Sequence, residues 1–233
     1  MSIVVIQAAG SLGLSSPSYS MPTLPTAGHG IIVGIQLGLS VAGTVTAVSD
    51  NQGVGNTYTK VVNEPTVGGG SDVELWQCTA IGATSGTFTI TATNTGTLAG
   101  SNSSMGAMEV TGLGAIDKTG VAQTNSVATL TATASGANAN ANDLVIGAIS
   151  SNSTSASSFG APTSAYSAWF NETVAGNYWV SFGYKIVSGI ETSAATGTWG
   201  NAANACAFVA TFTPTAGGGS GSGNFFLMPG FTD

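Results

Sequence analysis

The residues that could do chemistry are few, and the first is the single histidine of the chain. His29 lies between two glycines, directly before an apolar run. A catalytic histidine needs a nucleophile on one side and usually a carboxylate that orients it on the other. The sequence has no Gly-x-Ser-x-Gly motif to supply the nucleophile. We therefore interpret His29 as a turn residue.

A loop rich in side-chain oxygens, residues 49–59, is the second candidate. Asp50, Asn51 and Asn56 carry oxygens of the kind that calcium prefers. The loop has one carboxylate only, and it lacks the acidic residue that closes an EF-hand loop. Asx turns and glycines at positive φ account for the same residues without a metal. These three residues are calcium candidates, and we predict no other metal site and no cofactor.

Carboxylates and aromatic rings could form two further kinds of site. Asp72, Glu74, Glu109 and Glu172 are scattered in the sequence and include no pair with the spacing of a glycosidase. Nine aromatic residues could form a glycan-binding platform, but their alternation within strand-like runs favours burial in a core. They are Trp76, Tyr166, Trp169, Phe170, Tyr178, Trp179, Phe182, Tyr184 and Trp199. We predict that the protein is not an enzyme and keep a glycan as an alternative ligand.

The two cysteines, Cys78 and Cys206, are far apart in the sequence, and each lies in an apolar run. A metal site needs clustered ligands, and no Cys-x-x-Cys pair is present. The pattern favours two buried thiols that pack as small apolar side chains. A long-range disulfide is the alternative.

Charge is scarce throughout the chain. Its 233 residues include 3 Lys, no Arg and 10 acidic residues, for a net charge of -7. Nucleic-acid binding needs several cations to neutralise phosphates, so the composition excludes it. The hydrophobic fraction of 42% is that of a globular protein. No apolar run approaches the ~20 residues that span a bilayer, so we predict no membrane span.

The first ten residues do not have the pattern of a secretory signal. They contain no Lys or Arg, and their apolar run, Ile3–Ile6, is short. We predict that they form the first strand of the fold. A neutral polar surface without an export signal is typical of a virion protein made in the host cytoplasm. The alternative locations are the extracellular space and the cell surface.

Strand signals dominate the chain. Short runs of Val, Ile, Thr, Phe and Tyr alternate with Gly, Asn, Ser and Pro, and the residues at 44–48 and 87–93 alternate with period 2. No segment has helical periodicity over three turns. We predict an all-β fold, a large two-sheet β-sandwich over residues 1–215 that is jelly-roll-like or doubled.

The sequence contains a weak internal repeat. Residues 28–35 align with residues 141–148, and Val73–Trp76 aligns with Tyr178–Phe182. This indicates two pseudo-repeated halves, residues 1–112 and 113–215. The junction, residues 112–122, contains no Pro and is not a convincing linker. One doubled sandwich and two separate ones remain alternatives.

The last segment, residues 216–233, differs from the rest. A Gly/Ser run, which we predict to be a flexible linker, precedes five large apolar side chains. These are Phe225, Phe226, Leu227, Met228 and Phe231. Such a cluster is unfavourable in water. It could fold back on its own sandwich, or it could dock on a neighbouring subunit.

One turn carries a resemblance. The run from Val48 to Thr59 resembles the strand and D-x-x-G-N-T-Y-like turn of a lectin-like or immunoglobulin-like β-sandwich domain of bacterial and phage surface proteins. A later apolar strand, Asp143–Gly147, also fits that domain, whereas Val54 and Gly55 are an insertion in the turn. The resemblance implies a sandwich used for display, binding or assembly, without catalytic residues.

These observations together predict a structural virion protein. The expected role is a decoration or cement protein of a phage capsid, or a fibre component, that assembles through its C-terminal segment and N-terminal strand. Its partners would be capsid or other virion subunits and further copies of itself. The alternatives are a carbohydrate-binding module or adhesin of a bacterial surface, and an extracellular filament subunit.

Overall fold

The computed structural model describes residues 2–53, 55–66, 70–152, 156–159, 166–174 and 178–215. Within these ranges every regular element is a β-strand, which confirms the predicted all-β fold. The strands are β1 (Val4–Leu14), β2 (Ser18–Ser20), β3 (Gly30–Val41), β4 (Val45–Asp50), β5 (Thr59–Pro65), β6 (Ser71–Cys78), β7 (Thr89–Asn94), β8 (Thr97–Leu98), β9 (Ser103–Thr111), β10 (Leu113–Thr133), β11 (Leu144–Ser151), β12 (Ala156–Phe159), β13 (Ser167–Val174), β14 (Tyr178–Ile186) and β15 (Ala194–Pro214). No helix that could cross a membrane occurs in the part of the chain described.

The strands form three antiparallel sheets. Sheet I has the order β1-β9-β3-β6-β5, and β8 also pairs with β3. Sheet II has the order β10-β15-β11-β14-β13, and β12 also pairs with β15. Sheet III is small, with the order β2-β7-β4. Sheets I and II pack face to face as a β-sandwich, as predicted.

The two large sheets share one strand order. When the five strands along each sheet are counted in chain order, both sheets run first, fifth, second, fourth, third. Sheets I and III are built from residues before 112, and sheet II is built from residues after it. The aligned runs of the sequence repeat lie on β3 and β11, which are both central strands, and on β6 and β14, which are both fourth in order. Residues 112–122, which the sequence placed at a junction, lie almost entirely inside β10.

Aromatic side chains of sheet II fill the core between sheets I and II. Phe170 and Phe182 stack with ring centroids 4.5 Å apart, and Trp169 meets both edge-on. They lie over glycines of sheet I, since a Cβ on Gly34 would be 2.7 Å from the Phe182 ring. Glycine is therefore required here for close approach rather than for backbone freedom. Cys206 lies in this core as a free thiol.

Sheet III covers the other face of sheet I. Alternate residues of β3, such as Ile31 and Val33, face sheet III, whereas Ile32 faces sheet II. Because β3 is buried on both faces, its sequence is a continuous apolar run rather than an alternating one. Cys78 lies on the sheet III side, also as a free thiol, so the preferred interpretation of two buried thiols is confirmed.

A long two-stranded ribbon forms a fourth β-layer, next to sheet II. Strands β10 and β15 pair along their length, but the register shifts beside Ser126, whose φ is 55°. The far part of the ribbon folds back over the outer face of sheet II, and the Ser135 N–H donates to the Thr119 carbonyl. Gly197 then lies against Ile149 of β11. The bend covers the outer face of sheet II, which would otherwise be exposed to solvent.

Candidate functional site

The placement of charge is the first feature that bears on function. Every charged side chain that the structure describes is buried or only partly exposed. Each of the three lysines has a carboxylate partner: Lys60 with Glu74 at 2.9 Å, Lys118 with Asp117 at 2.6 Å and Lys185 with Glu191 at 2.6 Å. We call the resulting outer face, which consists mainly of Ser, Thr, Asn, Gly and Ala and on which every described lysine is paired, the neutral surface.

Glu74 is the centre of the most buried of these pairs. Its side chain is completely inaccessible to solvent and accepts hydrogen bonds from the Thr44 hydroxyl at 2.5 Å and the Val45 N–H at 2.6 Å. The Trp76 indole N–H donates to the other oxygen at 2.8 Å, next to the Lys60 ammonium. Since Thr44 and Val45 lie at the start of β4, Glu74 ties sheet III to sheet I.

Asp72 lies two residues before Glu74 on the same face of β6. It is completely buried, and neither carboxyl oxygen has a hydrogen-bond partner. Burial, together with the neighbouring Glu74, raises the pKa of Asp72 to about 8. Two adjacent carboxylates are a common acid–base arrangement, but these lie under sheet III, and the described residues form no pocket that could admit a substrate. The arrangement can hold a proton, and it has no access to a reactant.

His29 has the orienting carboxylate that the sequence did not reveal. Its Nδ1 is 2.6 Å from Oε1 of Glu109, which also accepts from the Thr26 N–H at 2.9 Å. The Gln7 amide donates to Oε2 at 2.7 Å. Burial alone would raise the pKa of Glu109, but these hydrogen bonds outweigh it and lower the pKa.

The surroundings of His29 are structural rather than catalytic. Its backbone N–H closes a turn on the Thr26 carbonyl at 3.1 Å, directly before β3. Among the described residues, no hydroxyl or thiol forms a hydrogen bond with its ring. The contact between His29 and Glu109 follows from the pairing of β3 with β9, which sequence spacing alone does not indicate.

The calcium candidates form a hydrogen-bonded loop. Asp50 accepts from the Gln52 N–H at 3.0 Å, the Asn56 amide at 2.8 Å and the Tyr58 hydroxyl at 2.9 Å. The Asn56 amide oxygen accepts from the Gly82 N–H. Asn51 bonds to the backbone at Thr87 and Thr89. The structure therefore brings Asp50 and Asn56 together and satisfies their oxygens with protein donors. The D-x-x-G-N-T-Y-like residues thus have a structural role in this loop.

The aromatic residues proposed for a glycan platform lie mainly in the core. All four Trp side chains are no more than 6% exposed. Phe170 and Phe182 are also buried. Stacking on a sugar ring needs an exposed aromatic face, which none of these six residues offers. The side chains of Tyr178 and Glu172 are outside the described residues.

The described chain ends where several strands meet. The Thr215 N–H donates to the Gly112 carbonyl at 2.8 Å, and a Cβ on Gly112 would be 2.7 Å from the Ser2 carbonyl oxygen. We call this place, formed by residues 2–6, 111–116 and 212–215, the exit corner. The five apolar residues proposed for docking, Phe225, Phe226, Leu227, Met228 and Phe231, lie outside the described residues, as does the whole segment 216–233.

The exit corner carries exposed aliphatic side chains. Val4 and Ile6 of β1 are 50% and 51% exposed, and Ile116 of β10 is 38% exposed. β1 is the outermost strand of sheet I, and β10 is the outermost strand of sheet II. The same end of sheet II also exposes Ile186, since Ile186, Leu144, Phe212 and Ile116 form one row across the sheet.

Comparisons with protein-family models, with curated proteins and with solved structures give no match to this chain.

Proposed function

We propose that this chain is a non-enzymatic structural subunit displayed on the exterior of a virion. Its role would be that of a decoration or cement protein of a phage capsid, or of a fibre component. The neutral surface is the observation that carries the proposal. An outer face with few exposed charges carries only a small cost of charge desolvation into close packing against other subunits.

The layered fold supports the same role. Four β-layers bury most of the large apolar side chains of the described residues, and glycines allow the sheets to approach closely. Strands paired along their length leave few segments that a protease can unfold locally. A subunit exposed to the environment benefits from such resistance.

The exit corner supports assembly through the last segment of the sequence. Three half-exposed aliphatic residues lie where the chain continues into a Gly/Ser linker and an apolar cluster. Aromatic anchors that dock in apolar surroundings dominate the binding energy of many interfaces. A short anchored segment could therefore hold this subunit against its neighbours.

Mass spectrometry of purified particles tests the proposal. Particles produced from the genome that carries this sequence should contain the chain in many copies per particle. Absence of the chain from such particles contradicts the proposed function.

Replacement of the apolar cluster tests the attachment. A variant with Phe225→Ser, Phe226→Ser and Phe231→Ser keeps the length of the segment and removes its anchors. We expect its occupancy on particles that lack the native protein to fall at least tenfold at the same concentration. A matched control, Ser220→Ala in the linker, should bind as the native chain does. Equal occupancy of the triple variant contradicts attachment through this segment.

A further inference from the structure

The two halves of the chain, residues 1–112 and 113–215, have separate sheets. Every strand of sheets I and III ends before Gly112, and every strand of sheet II begins after it. Among the described strands, no pair joins one half to the other. The boundary between the halves is therefore also a boundary between hydrogen-bonded sheets.

The first half has the connectivity of a jelly roll. When the two-residue strand β8 is set aside, this half has eight strands, β1 to β7 and β9. The first strand pairs with the eighth, the second with the seventh and the third with the sixth. Eight antiparallel strands nested in this way over two sheets form a jelly roll. The fifth strand, β5, pairs with the sixth and so lies in sheet I.

The second half repeats this connectivity. The bend beside Ser126 divides β10 and β15, so each supplies an inner part to sheet II and an outer part to the layer over it. The outer parts, residues 127–133 and 194–198, pair with each other, and β12 pairs with the other side of β15. Counted in chain order, these outer strands are the second, seventh and fourth of the half. Sheet III has the same order, β2-β7-β4, so the arrangement of eight strands occurs twice.

Each half also has an apolar core of its own. The core between sheets I and III consists only of residues of the first half, among them Phe88 and Ile90. The core under the bent ribbon consists only of residues of the second half, among them Ile149 and Trp199. A compact unit with its own hydrophobic core meets the usual definition of a domain. Each half meets this definition.

The core between sheets I and II differs from these two, because both halves contribute to it. Phe182 of the second half lies on Gly34 of the first half, and Phe170 lies on Gly106. Aromatic rings that fill hollows in a facing surface are typical anchors of a protein–protein interface. The packing between the halves is therefore that of two subunits.

Hydrogen bonds between the two inner faces supplement this apolar packing. The Ser71 and Ser150 hydroxyls, which are both completely buried, lie 2.9 Å apart. The Trp169 indole N–H donates to the Ala9 carbonyl at 3.2 Å. Interfaces of permanent dimers are apolar and resemble a domain core cut in half. The contact between sheets I and II has this composition.

The first strand of each half begins in the same way. Ile3, directly before β1, and Leu113, the first residue of β10, are both buried in the shared core. Gly112 alone separates β9 from β10, and its φ of 68° lies in the left-handed region. The Thr215 N–H donates to the Gly112 carbonyl, so the end of the second half lies beside the end of the first. The halves are thus consecutive copies of one arrangement.

We infer that this chain is a covalently joined dimer of two jelly-roll units, and that the inner faces of sheets I and II are their dimer interface. The partner that each inner face fits is the other unit, a five-stranded sheet of the same strand order. The chain is then two sandwiches joined by their larger sheets rather than one doubled sandwich. The inference does not depend on the proposed function, because it concerns recognition between the two halves of one chain.

Hydrogen exchange of the full chain tests whether each half is a unit. Ile90→Val and Ile149→Val are matched variants, because each removes one methylene group from a completely buried isoleucine in the core of one half. In moderate urea we expect Ile90→Val to speed amide exchange in β3 and β7 about three- to tenfold and to change exchange in β11 and β15 less than about twofold. Ile149→Val should have the reverse effect.

Mass spectrometry of peptic peptides measures the exchange of each strand. If either variant speeds exchange in both halves by the same factor, the halves unfold together and the inference is overturned.

Cleavage of the junction tests the interface. A protease recognition sequence between Gly112 and Leu113 of the full chain allows the halves to be cut apart after folding. We expect the two fragments to stay together at micromolar concentration, in a complex of native size by size-exclusion chromatography. In the same background, Phe182→Ala removes an interface ring and should raise the dissociation constant of the fragments at least tenfold.

Ile149→Val is the matched control for the cleaved chain. Ile149 lies in the core of the second half alone, so this variant should leave the dissociation constant unchanged. Native fragments that separate at micromolar concentration overturn the dimer interface. Phe182→Ala fragments that bind each other as tightly as the native ones overturn it as well.

Discussion

The buried carboxyl of Asp72 makes the stability of this protein depend on pH in an unusual direction. Its folded pKa of about 8 lies above the ordinary value of 3.8, so the folded state holds a proton that the unfolded state releases. The stability linked to this proton is fully present below the ordinary value and is lost as the pH rises towards the folded value. Asp72→Asn cannot ionise and removes this dependence.

We therefore expect the melting temperature of the native chain to fall between about pH 5 and about pH 8 more steeply than that of Asp72→Asn. At about pH 8 the variant should be the more stable of the two. Thermal unfolding followed by circular dichroism across this range measures the difference. Equal slopes for the two proteins contradict a protonated, buried Asp72.

The carboxyl of Glu109 makes stability depend on pH in the opposite direction. Its folded pKa is lowered, so its contribution is present above the ordinary value of 4.5 and is lost as the pH falls through the folded value. Glu109→Gln should cost about 1–3 kcal/mol at neutral pH, because it weakens the hydrogen bonds from His29 and Thr26 to a charged acceptor. This loss of stability should be smaller in acid, because the carboxylate of the native chain is then protonated.

Chemical denaturation at about pH 7 and about pH 3 measures the effect of Glu109→Gln. Gln7→Ala is the control, since it keeps the carboxylate and its contacts with His29 and Thr26 and should cost less than Glu109→Gln. An unchanged free energy of unfolding for Glu109→Gln at neutral pH contradicts the role given to this residue.

At the residue scale, the sequence shows which chemical groups are present, but it rarely shows which of them are in contact. The Asp50 loop is local, so its concentration of oxygens and glycines could be identified from the sequence. Glu109 lies 80 residues from His29, and the contact depends on the pairing of two distant strands. The high pKa of Asp72 likewise depends on the cover that sheet III provides.

At the scale of elements, the bent ribbon of β10 and β15 depends on one unusual residue. Ser126 has a φ of 55° in an exposed position where the register shifts. A β-branched residue is strongly disfavoured in this left-handed region, whereas glycine adopts it readily. Ser126→Val should lower the free energy of unfolding by about 1–3 kcal/mol. Ser126→Gly should leave it equal or higher.

Urea titration of the native chain and both Ser126 variants checks this prediction. The left-handed conformation disfavours Val and accepts Gly, so the order of stability of the two variants is the decisive result. If Ser126→Val is as stable as Ser126→Gly, the bend does not require the left-handed conformation.

Strand signals predicted the elements well where one face is solvated. Residues 87–93 alternate in sequence, and β7 alternates in burial. The signals were less informative for β3, because a strand buried on both faces has no alternation to reveal what covers each face. The third sheet was therefore not predicted. The sequence repeat predicts a junction at residues 112–122, but these residues lie almost entirely inside β10.

At the scale of the whole molecule, the neutral surface predicts association that is insensitive to salt. Each described lysine is paired with a carboxylate and most of the described carboxylates are buried, so ionic screening has little to act on. We expect the dissociation constant of self-association to change less than about threefold between about 0.05 M and about 1 M NaCl. Sedimentation at several salt concentrations measures it. A change of tenfold or more contradicts an interface based on apolar contacts.

The sequence by itself determined the fold class, because period-2 patterns, turn residues and the lack of helical periodicity are local properties. It also determined that few charges exist to act on a substrate or a polyanion. The tertiary structure alone decided where those charges are, that both large sheets share one strand order, and that the chain emerges beside exposed aliphatic residues. Each of these depends on which distant strands pair, and pairing is settled by the packing of whole faces rather than by any short run of residues.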